Sequence, residues 1–174
     1  VETTSLFGDA QREEVRATLP VGGERVTAVT LPPDGNTAYI ATAAGRVHRW
    51  DLRDKSTPKL ADVTQVTAEP GVAVTALATL IGGRSLLVGD AGGAVSVWFP
   101  VRGANDFALR RAHVLEPMAA AVSALAPSPR DRRFVAAADD GEVRIYQASS
   151  EATLARMPGD GSAAHAVGFA PKGN

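Results

Sequence analysis

The side chains that could carry chemistry are few and far apart. His48, His113 and His165 are the only histidines, and no two stand at a spacing from which one element could present both to a metal ion. The chain has no cysteine, which excludes disulfides, thiolate ligands and a cysteine nucleophile. No Gly-x-Ser-x-Gly motif surrounds a serine. We therefore expect no enzyme, no metal site and no cofactor.

Two glycine-containing or acidic stretches are better explained as turns than as sites. Residues 89–93 read Gly-Asp-Ala-Gly-Gly and superficially suggest a phosphate cradle. Strand-like residues follow them, whereas a phosphate cradle needs the start of a helix. Asp139 and Asp140 fall in a hairpin turn, where acidic residues are common. Both stretches are therefore predicted to be β-turns.

An arginine cluster is the one candidate for partner contact. Arg130, Arg132 and Arg133 surround Asp131 in a stretch that is typical of an exposed hairpin turn. The simpler interpretation is a solvated loop, and the functional one is contact with an acidic partner.

Charge and hydropathy restrict the partner class. Lysine and arginine number 18 against 19 acidic residues, so the net charge of −1 lacks the basic surface that nucleic-acid binding needs. We expect protein partners and no nucleic acid. No run of 18 apolar residues occurs, so these residues contain no predicted membrane span.

A turn glycine and a closing aromatic residue recur at a fixed interval. The glycines are Gly45, Gly93 and Gly141, and the aromatics are Trp50, Trp98 and Tyr146. Both series step by 48 residues. A period of about 40–50 residues with short strands is typical of propeller blades, each of which packs against its neighbours.

The repeat predicts an all-β, partial β-propeller with three four-stranded antiparallel blades and part of a fourth. We expect one domain over residues 1–174, with units at about 13–52, 60–99 and 108–147 and an incomplete unit at 152–174. Alanines recur on the strands predicted to lie innermost, where space is short. These are Ala28, Ala76 and Ala124.

Each unit is expected to open with an outer strand and continue with three inner ones, which gives four strands by Leu52. The predicted outer strands are Glu14–Leu19, Leu60–Thr67, Arg110–Leu115 and Thr153–Met157. A fourth set of inner strands is expected to begin at Ala166–Phe169.

The endings of the units resemble the WD-repeat family. The first unit ends in Trp50-Asp51, and AADDGEVRIY closes the third at Tyr146. The resemblance implies a buried network of His, Ser or Thr, Asp and Trp. The second unit ends in Trp98-Phe99 and therefore lacks the Trp-Asp ending. Only Asp139 or Asp140 matches the Asp position of the network.

The middle of the chain also resembles a transporter domain. Val74–Arg102, VTALATLIGGRSLLVGDAGGAVSVWFPVR, is similar to part of the extracytoplasmic domain of bacterial phosphate ABC-transporter permeases. This resemblance implies a non-catalytic interaction or sensing domain on the extracytoplasmic (periplasmic) face of the inner membrane. It also implies a membrane-embedded parent protein and other transporter components as partners. The alternative is a WD-repeat scaffold unconnected to transport.

The repeat count also predicts self-association. At a period of 48, 174 residues make about 3.6 units, fewer than the 4–8 blades that usually close a propeller. We expect two chains to combine, with the unmatched segments at 1–11 and 153–174 completing shared blades. The alternative is that blades encoded before Val1 and after Asn174 close the ring of the intact protein.

Overall fold

The strands that the structure describes lie in three separate antiparallel sheets. The computed structural model describes residues 17–102 and 107–170. Within those ranges it holds twelve strands and no helix. The predicted all-β class with three four-stranded antiparallel units is confirmed.

Each sheet is a meander in which neighbours in sequence are neighbours in space. The first sheet consists of β1 (Val26–Thr30), β2 (Thr37–Thr42), β3 (Arg46–Asp51) and β4 (Lys59–Gln65). The second consists of β5 (Val74–Thr79), β6 (Leu86–Asp90), β7 (Val95–Arg102) and β8 (Phe107–Val114). The third consists of β9 (Val122–Pro127), β10 (Arg133–Ala138), β11 (Val143–Gln147) and β12 (Ala152–Met157).

The three repeated glycines occupy the turn between the second and third strands of each sheet. Gly45, Gly93 and Gly141 have φ angles of +80°, +85° and +83°, which L-residues with a side chain rarely adopt. A Cβ on Gly93 would also lie 2.3 Å from the carbonyl oxygen of Met118. Conformation and space thus both require glycine at this step of the repeat.

The predicted position of the outer strand within each unit is wrong. The stretches Leu60–Thr67, Arg110–Leu115 and Thr153–Met157 overlap β4, β8 and β12, and these strands close the first, second and third sheets instead of opening the next. Each of these strands pairs with the strand that precedes it in sequence. That antiparallel pairing needs only a short connection, so it loses less chain entropy than pairing with a more distant strand. The 48-residue period fits either division of the chain, so the unit boundaries stay a prediction.

Two further strand predictions fail. The first sheet has three strands up to Asp51 in its described part, not four, because residues 17–19 form no strand and residues 14–16 lie outside the described ranges. Ala166–Phe169 is not a strand either. A strand in this position has no neighbour to pair with in the described part of the chain, which ends at residue 170.

The first strands of the three sheets lie side by side and are the innermost ones. β5 contacts both β1 and β9. Ala28, Ala76 and Ala124 lie on these strands, and Ala76 is buried. The prediction that small side chains mark the innermost strands is confirmed.

Two apolar cores join the sheets face to face. Between the first and second sheets, Tyr39 and Val47 pack with Val88 and Trp98. The second and third sheets share a larger core, which contains Leu87, Val97, Phe134 and Tyr146. The Phe134 and Tyr146 rings stack with centroids 5.3 Å apart.

Candidate partner-binding site

One position in the third strand of every sheet is both buried and polar. It is held by His48, Ser96 and Arg144, again 48 residues apart, which are 5%, 7% and 4% exposed. Each stands two residues before the closing aromatic, so strand alternation places the two on one face of the sheet. A buried polar group needs a partner, and the three sheets provide for it differently.

Arg144 is held by the segment that leaves the second sheet. Its guanidinium donates to Glu142 at 2.8 and 2.9 Å and to the carbonyl oxygen of Pro117 at 2.9 Å. The Tyr146 hydroxyl donates to the neighbouring carbonyl of Glu116 at 2.8 Å, and burial raises the pKa of that hydroxyl. Main-chain oxygens between β8 and β9 thus fix the third sheet against the second.

In the second sheet the buried pair satisfies itself. The indole Nε1 of Trp98 donates to the hydroxyl oxygen of Ser96 at 2.8 Å. Trp98 is 7% exposed and lies in the core between the first and second sheets. The Arg111 guanidinium stands 5.9 Å from the ring centroid, within cation–π range.

A small pocket opens where the second and third sheets meet, and we call it the rim pocket. Its volume is about 120 Å³. Buried apolar side chains of both sheets form its floor, namely Leu80, Val97 and Ala148. Polar side chains line it as well, namely Ser85, His113, Arg132 and Ser149.

A carboxylate of the chain itself contacts the rim pocket. Nδ1 of His113 lies 2.7 Å from Oε1 of Glu151, which crosses from the third sheet to the second. Glu151 has a φ of +58° and is the one residue other than glycine in the described ranges with a positive φ. Such strain costs about 1–3 kcal/mol and is frequent at binding sites. Sequence reasoning missed this pair, because 38 residues separate its members and no local signal connects them.

The three candidate arginines have different environments. Arg133 is paired with Asp131, at 2.7 Å. The amide of Arg130 donates to Ser128 Oγ at 3.3 Å. Arg132 lines the rim pocket, and its side chain makes no hydrogen bond or ion pair with the residues described. Of the three, Arg132 is placed to contact a bound group in the pocket.

We expect Asp131 to titrate far below an ordinary aspartate. The hydrogen bond from the Arg133 side chain, with a second from the Arg133 amide, lowers the pKa of Asp131 to about 2. The lowered pKa stabilises the turn at neutral pH, and that stabilisation is lost as the pH falls through about 2. Carbonyl NMR should give this midpoint, and Arg133→Gln should move it toward about 3.9. A midpoint near 3.9 in both proteins would contradict the pairing.

In the acidic and the glycine-rich turns, aspartate carboxylates accept hydrogen bonds from main-chain amides of the same turn. Asp140 accepts the amide of Glu142 at 3.0 Å, and Asp139 is exposed, so neither takes the buried role that the WD-repeat resemblance implies. In the stretch 89–93, the Asp90 carboxylate accepts the amides of Gly92 and Ala94, both at 2.9 Å. Amides that a phosphate would need are therefore occupied, and the predicted β-turn is confirmed by the bond from Gly93 N to Asp90 O.

Across residues 17–102 and 107–170, no group of three His, Asp or Glu side chains is placed to hold a metal ion. The same ranges contain no helix long and apolar enough to cross a membrane.

Comparison with solved structures places the fold among the β-propellers. The chain is 20% identical to a chain of the mitotic checkpoint complex, with a TM-score of 0.69 over 87% of this chain and 42% of that one. For the RRP9 WD40 repeats the identity is 17% and the TM-score is 0.67, over 81% of this chain and 41% of that one. For the β-propeller domain of Cps50 (Swd1) from Myceliophteria thermophila the identity is 16% and the TM-score is 0.63, over 80% of this chain and 45% of that one. The chain thus spans less than half the length of these structures.

Sequence comparison identifies one repeat. No curated protein matches the chain. Residues 110–147 match the model of the WD domain, G-beta repeat, and they run from the outer strand of the second sheet through β11 of the third. Residues 110–147 are therefore similar to a WD40 repeat, within a β-propeller-like fold.

Proposed function

We propose that the chain is a non-catalytic protein-interaction scaffold that binds an acidic side chain of a protein partner in the rim pocket. The observation that carries the proposal is the rim pocket itself, where His113 already contacts a carboxylate and Arg132 has none. Rigid sheets that present loops and turns to partners suit such a role.

The size and chemistry of the rim pocket favour one side chain. Its volume of about 120 Å³ is well below the roughly 300–1,000 Å³ of pockets that hold whole small-molecule ligands. The floor at Leu80 and Val97 suits the methylene groups of a glutamate, and the Arg132 guanidinium suits its carboxylate. Arg132 therefore supplies the charge that an acidic partner needs.

Glu151 competes with that partner for the pocket. Its carboxylate shields part of the positive charge that His113 carries when protonated, and it does so from a strained backbone position. A partner that takes over the contact with His113 frees Glu151 from this contact. Binding should therefore tighten when Glu151 is removed.

Peptides with a central glutamate test this proposal. The probes are fluorescein-labelled, acetylated heptapeptides with a central glutamate and varied flanks, and the same set with a central glutamine. Measured by anisotropy, we expect at least one glutamate peptide to bind about tenfold more tightly than its glutamine twin, a gain of about 1.4 kcal/mol.

Variants identify the pocket as the site. Arg132→Ala should abolish the glutamate preference, and Glu151→Gly should strengthen binding several-fold because it removes the competing carboxylate. Arg110→Ala is the matched control, since Arg110 is an exposed arginine outside the rim pocket. A glutamate preference that survives Arg132→Ala would contradict the site, and equal binding of both peptide sets would contradict the acidic partner.

The transporter interpretation is a second proposal and rests on the resemblance of Val74–Arg102. It would place the chain on the extracytoplasmic face of a bacterial inner membrane, with other transporter components as partners. The chain is similar to WD40 repeats, to a propeller domain and to a chain of a checkpoint complex, and these similarities support a scaffold more directly. Membrane spans encoded on either side of these residues in the parent reading frame would favour transport.

Phosphate binding is a separate test of the transporter interpretation. We expect calorimetry to detect no micromolar binding of inorganic phosphate, because Asp90 occupies the turn amides that resemble a phosphate cradle. Micromolar binding would make the chain a direct phosphate sensor.

A further inference from the structure

One face of the first sheet has no other sheet packed against it in the described part of the chain, although Leu19, Val21 and Leu52 cover part of it. Val29, Ile40, His48 and Val63 are paired in one row across β1 to β4, and directly paired residues share a face. The two ends of this row are 53% and 43% exposed. Trp50 lies on the same face, two residues beyond His48. We call this the open face of the first sheet.

The open face contains buried polar atoms that have no hydrogen bond. Both ring nitrogens of His48 and Nε1 of Trp50 are buried and unpaired. The Glu24 carboxylate is 3.8 Å from His48 Nε2, too far for a hydrogen bond, and is engaged by Thr42. Buried donors without acceptors are costly and rare in folded proteins, so the open face lacks something that would complete it.

The third sheet shows what can complete such a face, whereas in the second sheet Ser96 and Trp98 pair with each other. At the same repeat positions, Arg144 and Tyr146 donate to the carbonyl oxygens of Pro117 and Glu116. Those carbonyls belong to the segment that follows the outer strand of the preceding sheet. By the repeat, the partner of His48 and Trp50 is a segment of the same kind.

The third sheet carries a segment of that kind with no sheet beyond it in the described ranges. After β12, the amide of Gly161 donates to Asp140 O at 3.0 Å, and that of Ala164 donates to Ala138 O at 3.3 Å. In the second sheet, Met118 N likewise donates to Gly93 O, at 2.9 Å. Residues 158–165 therefore run past the glycine turn of the third sheet as residues 115–121 run past that of the second.

The outward face of the third sheet is also apolar. Val143 and Ile145 alternate with Arg144 and Tyr146 along β11, so they point away from the second sheet, and both are half-buried. The molecule thus has a face with unpaired donors at one end and an apolar face with its following segment at the other.

We propose that the open face of the first sheet binds the outward face of the third sheet of a second copy of this chain. Residues 158–165 of that copy then supply main-chain carbonyls to Nε1 of Trp50 and to the N–H of His48. Made twice about a twofold axis, this contact closes a ring of six sheets, within the four to eight of known propellers. It joins sheet faces, whereas the sequence predicted shared blades built from the chain ends.

Light scattering coupled to size exclusion at micromolar concentration tests the contact. The wild-type chain should have twice the 18.0 kDa mass of one chain. Val29→Glu on the open face and Ile145→Glu on the third sheet should each give single chains. An equimolar mixture of the two variants retains one intact contact and should form pairs again, which also shows that both variants are folded. Ile81→Glu, an exposed turn position of the second sheet, is the control and should leave association unchanged.

A second variant keeps the test independent of how Ile145→Glu folds. Trp50→Phe removes the indole N–H, so it should weaken pairing several-fold if Nε1 donates across the contact. A wild-type chain that stays single would overturn the proposal. So would pairing of either glutamate variant alone, which indicates contact between like faces, or a Trp50→Phe chain that pairs as strongly as the wild type.

Discussion

Trp98→Ala is expected to lower the free energy of unfolding by about 3–5 kcal/mol, the usual cost of removing a large buried aromatic side chain. The indole packs between the first and second sheets with Tyr39, Val47 and Val88, and it is 7% exposed. Its loss leaves a cavity at the junction and also leaves Ser96 without its donor. Urea titration followed by circular dichroism measures the change.

Phe99→Ala is the matched control for Trp98→Ala. Phe99 is the next aromatic residue on the same strand, but it is 40% exposed. We expect its loss to change the free energy of unfolding by about 0.5 kcal/mol, as is usual for surface positions. A loss under about 1 kcal/mol for Trp98→Ala would show that the junction does not depend on the indole.

Arg144→Met is expected to destabilise the chain by about 3 kcal/mol, the lower end of the range for breaking a buried ion pair. The change leaves the Glu142 carboxylate, 9% exposed, without its main partner. It also leaves the carbonyl of Pro117 unpaired at the junction. Arg156, 3.1 Å from the same carboxylate, still offsets part of the charge, which is why the lower end applies.

The double variant Arg144→Met/Glu142→Leu separates the buried charge from the packing. Because it removes the stranded carboxylate, it should recover part of the stability lost in Arg144→Met. Arg133→Met is the control, since Arg133 pairs with Asp131 at an exposed turn, where water and salt screen the attraction and such pairs contribute little to stability. If Arg144→Met costs no more than the control, the junction is held by apolar contact alone.

The features of the fold that could be predicted from sequence are those fixed by local chemistry. The turns at Gly45, Gly93 and Gly141 could be predicted because few residues other than glycine adopt these φ angles. The order of outer and inner strands could not be predicted, because a 48-residue repeat does not determine at which strand each sheet begins. β4 joins the first sheet through its pairing with β3, a tertiary outcome that its own residues do not encode.

The candidate site was predictable only in part. The arginine cluster pointed to the right turn, yet sequence could not tell that Arg132 faces a pocket while Arg133 turns to Asp131. His113 and Glu151 come from different sheets, and their contact exists only because those sheets pack together. Residues that meet only where two sheets pack have no characteristic spacing in the sequence, so such a site cannot be predicted from spacing.

The buried polar position has a consequence for the fidelity of folding. Repeated sheets of one shape risk assembling in the wrong order, since each apolar face would accept any other. Here the three sheets carry different polar side chains at this position, His48, Ser96 and Arg144. A third sheet docked in place of the second would bury the Arg144 guanidinium away from the carbonyls of Glu116 and Pro117 that receive it. Misordered assembly thus costs an unpaired buried charge, so Arg144, which ties the third sheet to the second, also disfavours a wrong order of sheets.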